Sequence, residues 1–276
     1  MNTNTINNSI GGDRKLFSVA IKSEGYQKLI NDTLGDPKLA QQFVADISTA
    51  VAINPMLKRC EAGSILSAGL VAYTLKLPLN ASLGYAYLVP YADKAQFQLG
   101  AKGFKQLAMR SGIYTDIDVT DVRDGEYLGR DEETGKPRFK FITDDNVREK
   151  AAIIGYLAYF ITQNGFKKTI YWSIDKIKAH GKRYSKTFNS TSSTNVWRDN
   201  FEKMAEKTVI KQLLSNWGVL SVELQDALKY DQAVVKEDKT PEYVDVKDEV
   251  DFTEDEVVQE DKTTEKPKVS LTDVID

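Results

Sequence analysis

The chain has 276 residues, 41% of them hydrophobic and 10% aromatic, enough for one sizeable core or two small ones. One cysteine, Cys60, excludes an intramolecular disulfide and suits a reducing cytoplasm. No apolar run approaches the roughly 20 residues that span a bilayer, and the start of the chain lacks the basic-then-apolar order of a signal peptide, so no membrane contact is expected. The formal net charge of −3 hides a division: residues 231–276 carry 16 acidic and 6 basic side chains, leaving 24 acidic and 31 basic in the rest. A basic body with an acidic tail suits a nucleic-acid-binding protein; a stable domain with a solubilising tail explains it equally well.

In chain order, residues 1–13 are Asn/Thr-rich and read as disordered. A helical lobe is expected over 14–78, as a source of subunit contacts. Within it Asp36 and Pro37 supply an N-cap and a first-turn proline, and Leu39, Phe43, Ile47 and Val51 fall four apart. Asn54-Pro55 breaks that helix, and another runs from about Glu61 to Lys76 before Pro78. An α+β core is expected over 79–230, built of antiparallel hairpins packed with helices.

Its first hairpin pairs Gly84-Tyr-Ala-Tyr-Leu-Val-Pro-Tyr91 with Lys94-Ala-Gln-Phe-Gln-Leu99. If Tyr91 faces Lys94, one face carries Tyr85, Tyr87, Val89, Tyr91, Lys94, Gln96 and Gln98, and the other Ala86, Leu88, Phe97 and Leu99. A helix over about Lys102–Arg110 follows, closed by Gly112. Residues 113–150 read as one or two strands and a polar loop over 131–137. A second hairpin turns at Asn164-Gly165. Ser173 caps a short helix ending at Gly181, residues 185–195 read as a mobile loop, and a long helix runs from about Asn195 to Trp217. After Tyr230 the apolar period vanishes, so 231–276 reads as a disordered acidic tail.

Several chemistries have no support. A phosphate loop is lacking, since Gly100-Ala-Lys-Gly103 is too short and has no hydroxyl partner. His180 and Cys60 are single, which excludes a zinc site of clustered His and Cys. His180 itself reads as an ordinary surface residue. The carboxylates Asp116, Asp118, Asp121, Asp124 and Glu126 keep a metal nuclease open as an alternative. The reading carried forward has no catalytic residue, no metal and no cofactor.

Binding a single strand without sequence choice needs cations for phosphates and flat side chains for bases. The first hairpin offers both on one face, unless its tyrosines cover a neighbouring helix. Lys203, Lys207 and Lys211 form one stripe of the long helix, bordered by apolar side chains. Further cations recur at Lys102, Lys105 and Arg110, at Lys167 and Lys168, and at Lys182, Arg183 and Lys186 around Tyr184.

These motifs resemble the RecT family of phage single-strand annealing proteins, within the RecT/Redβ superfamily. The resemblance rests on Leu79–Tyr91, Ala95–Gly112, the Asn164-Gly165 hairpin with Tyr171-Trp172, and Lys207–Gly218. It implies an ATP-independent protein that coats single-stranded DNA as a ring or helical filament and pairs it with a complementary strand. It implies a partner 5′→3′ exonuclease, while contact with a host single-strand-binding protein is left open. It also implies DNA contacts at Lys94, Gln96, Gln98, Lys102, Lys105 and Lys207. A metal nuclease, a passive coating protein and an interaction scaffold remain as alternatives.

Overall fold

The computed structural model describes residues 16–191, 195–236 and 239–244. Residues 1–13, and most of the tail expected to be disordered, lie outside these described residues. Two short helices, α1 (Phe17–Ala20) and α2 (Glu24–Leu34), lead to α3 (Pro37–Ile53). The Asp36 carboxylate accepts from the Lys38 amide at 2.7 Å, as the capping pattern anticipates. Ala40, Phe43, Ile47 and Val51 are buried, whereas Leu39 is 40% exposed. At 3.6 residues per turn, position 40 lies closer to the line of 43, 47 and 51 than position 39 does.

After a 3-10 turn at Leu57–Arg59, α4 (Ala62–Thr74) packs on the first hairpin. The hairpin strands are β1 (Ala86–Tyr91) and β2 (Lys94–Leu99), paired from Ala86↔Leu99 to Tyr91↔Lys94 in the anticipated register. Ser64 Oγ accepts from the Ala95 amide at 2.9 Å and fastens β2 to α4. Helix α5 (Ala101–Arg110) follows, with Gly112 left-handed just beyond it.

The centre is a three-stranded antiparallel sheet of β3 (Tyr114–Arg123), β6 (Ile153–Thr162) and β7 (Lys167–Ser173), in the order β3-β6-β7. Between β3 and β6 lie β4 (Tyr127–Arg130), β5 (Pro137–Phe139) and α6 (Asp145–Arg148). Glu126 holds this excursion. Its buried carboxylate accepts from the Arg123 and Ile142 amides at 2.7 and 3.2 Å and from Arg148 Nε at 2.8 Å. The β6–β7 turn spans three residues, 163–165, since Thr162 N donates to Phe166 O and Gly165 takes φ +82°. A glycine tolerates that left-handed position without strain.

Helix α7 (Ile174–Tyr184) runs past Gly181, where the sequence suggested a stop. A Cβ at 181 would lie 2.5 Å from the Phe188 ring, so the glycine makes room for the following loop instead of ending the helix. The expected long helix is two pieces, α8 (Val196–Asp199) and α9 (Phe201–Trp217), broken at Asn200. Asn195 caps α8 and also donates to the Thr187 and Ser190 carbonyls, tying the start of α8 to the residues that follow α7. Helix α9 packs against β3, β6 and β7, between α5 and α7.

A helix α10 (Val222–Tyr230) and two short strands, β8 (Val234–Val235) and β9 (Pro241–Glu242), complete the described fold. The expected boundary at Tyr230 therefore comes too early. Phe97 and Gln232 to Ala233 exchange backbone hydrogen bonds, which adds the segment to the free edge of β2. Asp231 is 1% exposed and accepts from the Leu99 amide (2.9 Å), Lys207 Nζ (2.9 Å) and Lys211 Nζ (2.7 Å). Sequence periodicity misses this segment because one carboxylate, not an apolar stripe, anchors it.

Burial alone raises the Asp231 carboxyl, but the two ammonium groups outweigh it and the net displacement is downward. Because the folded pKa lies below the unfolded value of about 3.9, its stabilisation is present above that pH and is lost as acid protonates the folded carboxylate. Asp231→Ala removes the carboxylate that the buried Lys207 and the half-buried Lys211 share and is expected to cost about 3–5 kcal/mol, read by urea denaturation at pH 7. A variant within about 0.5 kcal/mol of the parent would show that the three-way contact does not hold the fold.

Candidate nucleic-acid interface

A cleft opens beside β7, between the β4–β5 hairpin and helices α7 and α9. Four cations line it: Arg130, Lys136, Lys168 and Lys176. Trp172, Trp217 and Tyr171 supply flat walls, and Gln212 and Asn216 supply amides. No Asp or Glu is among the described residues that line it. Lys168 Nζ lies 3.3 Å from the Trp217 ring centroid, and Lys176 Nζ lies 4.5 Å from that of Trp172. Burial, then the charge of Lys136, pulls the Lys168 pKa down. Cations gathered without a lining carboxylate create a positive potential suited to an anion, and the rings suit a planar ligand.

The residues expected from sequence divide between several places. Lys168 joins the cleft, with Lys167 exposed at the start of β7. Tyr85, Lys102 and Lys105 line a shallow depression beside β3, at the opposite edge of the sheet, together with Gln106, Met109 and Asp118. There Lys105 Nζ donates to Asp118 at 2.7 Å. Arg110 serves the fold instead. Its guanidinium donates to the Leu75 and Lys76 carbonyls at 2.6 and 3.2 Å, closing the end of α4. Lys182 and Lys186 are exposed, and Arg183 lies over the Tyr184 ring.

The hairpin face is half-buried at Tyr87, Tyr91 and Gln98. Gln96 is 1% exposed, and its Nε2 has no hydrogen-bond partner among the described residues. Lys94 pairs with Glu242 at 3.2 Å. The lysine stripe of α9 is likewise divided. Lys203 is exposed, whereas Lys207 is 6% exposed and, with Lys211, bound to Asp231. These two lysines border apolar side chains, as the sequence indicates, but the anion they meet is the protein's own carboxylate. Among the nuclease candidates, Asp116 accepts from Tyr159 Oη at 2.9 Å, Asp118 is held by Lys105, and Asp121 pairs with Arg123 and Arg148.

Sequence reasoning missed Arg130, Lys136, Lys176 and the site role of Trp172 and Trp217. The four-residue spacing of Trp172, Lys176, His180 and Tyr184 was the available signal for part of this set. Arg130 and Lys136 reach the cleft through the β4–β5 hairpin, a placement that local spacing cannot show.

His180 is not the surface residue expected. Its ring lies 5.2 Å from Trp172 and 4.6 Å from Tyr184, centroid to centroid. Burial, followed by the charges of Lys211, Lys176 and Arg183, pushes its imidazole down to about 4. Between the unfolded value of about 6.5 and that folded value the unfolded chain binds a proton that the fold refuses. This group's stabilisation is thus complete above pH 6.5 and falls as acid is added, levelling off below about 4. An NMR titration of the imidazole in the folded protein is expected to find its midpoint well below 5.5; a midpoint above 6 would place the ring in water.

The sequence pattern of the RecT family matches residues 41–251. The chain is similar to the uncharacterized protein YqaK of Bacillus subtilis (strain 168), with 40% identity over 258 residues, covering 93% of this chain and 84% of that protein. It is also similar to Protein RecT of Escherichia coli (strain K12), with 25% identity over 205 residues, covering 70% of this chain and 71% of that protein. With its helices and antiparallel sheets in place and a family match across most of its length, the chain belongs to the RecT family, whose members are single-strand annealing proteins of DNA recombination.

Proposed function

We propose that this chain binds single-stranded DNA as a homo-oligomer and anneals complementary strands, without ATP, metal or covalent chemistry. The observation that carries this reading is the cleft beside β7, where four cations meet two tryptophans and no carboxylate among the described lining residues. Phosphates take the cations, and flat bases take the rings. The depression beside β3 adds Lys102 and Tyr85 at the other edge of the sheet, with Lys105 there already paired with Asp118.

The protein's contribution is kinetic. Neutralising both backbones lowers their mutual repulsion, and each base step formed adds roughly 1.4 kcal/mol of stacking. Many subunits along one strand turn weak contacts into firm retention through effective concentration. The exposed Lys167, Lys182, Lys186 and Lys203 extend the electrostatic track, while Lys207 and Lys211 support it through Asp231. The helical lobe carries subunit contacts in a ring or filament. A 5′→3′ exonuclease of the same phage or prophage supplies the single strands in the host cytoplasm, and a host single-strand-binding protein is a further candidate partner.

Annealing of two complementary oligonucleotides, added one after the other to the purified full chain without ATP or magnesium, tests this. Fast annealing at low salt that fades at high salt is expected. Lys136→Ala and Lys168→Ala are each expected to reduce the slope of log affinity against log salt by about 0.7, with the melting temperature kept. Binding without acceleration would mean a passive coat, and cleavage on adding magnesium would mean a nuclease; either result overturns annealing.

A further inference from the structure

Three aromatic rings follow one another beside α7: Trp172 at its N-terminal approach, then His180 and Tyr184. A cation rides on the ladder at each end, Lys176 over Trp172 and Arg183 with its Cζ 5.4 Å from the Tyr184 centroid. Trp217, 49% exposed and bearing Lys168, stands across the cleft from the start of the ladder. Trp172, His180 and Tyr184 are all partly open to solvent.

We infer that this ladder is a nucleobase-stacking track, which holds the bases of a single strand along α7 while the neighbouring cations hold its phosphates. The inference rests on the reading of the cleft as a single-strand site and adds which part of the strand lies where. Phosphate recognition alone would need only the cations. An acidic peptide would satisfy the cations but has no flat groups to match a row of rings. A single strand supplies both, at a spacing set by its own backbone.

The ring geometry restricts how bases can sit. Inserting a base between two rings needs two stacking gaps, about 7 Å in all. The centroids are 5.2 and 4.6 Å apart and the planes are inclined by 65° and 46°, so no base enters between them. Bases must lie on the outward ring faces, where Lys176 and Arg183 now rest. Lys176 and Arg183, lying against the two end rings, are within reach of the phosphates of a strand whose bases stack there. His180, held between the two end rings, takes no base itself and spaces Trp172 from Tyr184 as a neutral ring. Bases parted in this way cannot pair within their own strand, which keeps hairpins open until a complementary strand removes them.

The test compares two probes of equal length and charge, oligothymidine and an oligomer of abasic sites, by fluorescence anisotropy with the full chain. Trp172→Leu and Tyr184→Leu are each expected to weaken oligothymidine binding about tenfold and leave the abasic probe unchanged. Trp172→Phe and Tyr184→Phe restore most of the loss, and unchanged melting temperatures separate stacking from folding. Equal loss on both probes, or no loss on either, overturns the track. A wild-type protein that binds neither probe would instead overturn the single-strand reading itself.

Discussion

One buried carboxylate fixes the relation between the first hairpin, the helix above the central sheet and the C-terminal segment. Asp231 accepts hydrogen bonds from the Leu99 amide and from the ammonium groups of Lys207 and Lys211. A buried charge is costly unless it is paired and hydrogen-bonded, and here two cations and one backbone donor meet that need. The same contact explains how a helix in the protein interior tolerates Lys207 among Met204, Ile210 and Leu214. It also sets where the positive surface of α9 ends, since Lys203 remains exposed while the next two members of its stripe are bound within the protein.

The central sheet then divides the charged surface. Its order, β3-β6-β7, leaves β3 and β7 at the edges, and α5, α9 and α7 lie across it. Cations on α5 come to one edge, and cations on β7, α7 and the β4–β5 hairpin come to the other. A net charge of −3 for the chain is therefore a poor guide to its interactions. What a phosphate meets is local, and within the cleft the lining charges that are described are all positive.

Much of the fold was legible because short-range rules govern it. The alternation of Tyr85–Tyr91 against Lys94–Leu99 fixes the hairpin register, since a slip of one residue would expose Leu88 and Phe97. Asp36 and Ser173 act as caps because their side chains reach the first free amides. The failures share a cause. Gly181 carries a helix stop signal, but the packing of Phe188 and Trp197 on it decides otherwise. Asp231 lies in an acidic run that looks solvated until α9 brings two lysines to it. Lys168 could be read as a cation, yet its place on Trp217 depends on β7 and α9 meeting across 49 residues of chain. The site was thus visible as a set of residue types and only partly as a set of neighbours.

The Leu99–Asp231 hydrogen bond joins positions 132 residues apart. The chain emerges from synthesis N-terminus first, so the hairpin exists as sequence well before, and α9 shortly before, the group that locks them together. Until then Lys207 and Lys211 have no carboxylate at that site and favour water over the interior. Helix α9 therefore cannot settle fully against the hairpin early, and loop closure over so long a separation is entropically slow. The order of assembly that follows matches the order of synthesis: the segment after α10, made later, completes an interface whose other parts were made first.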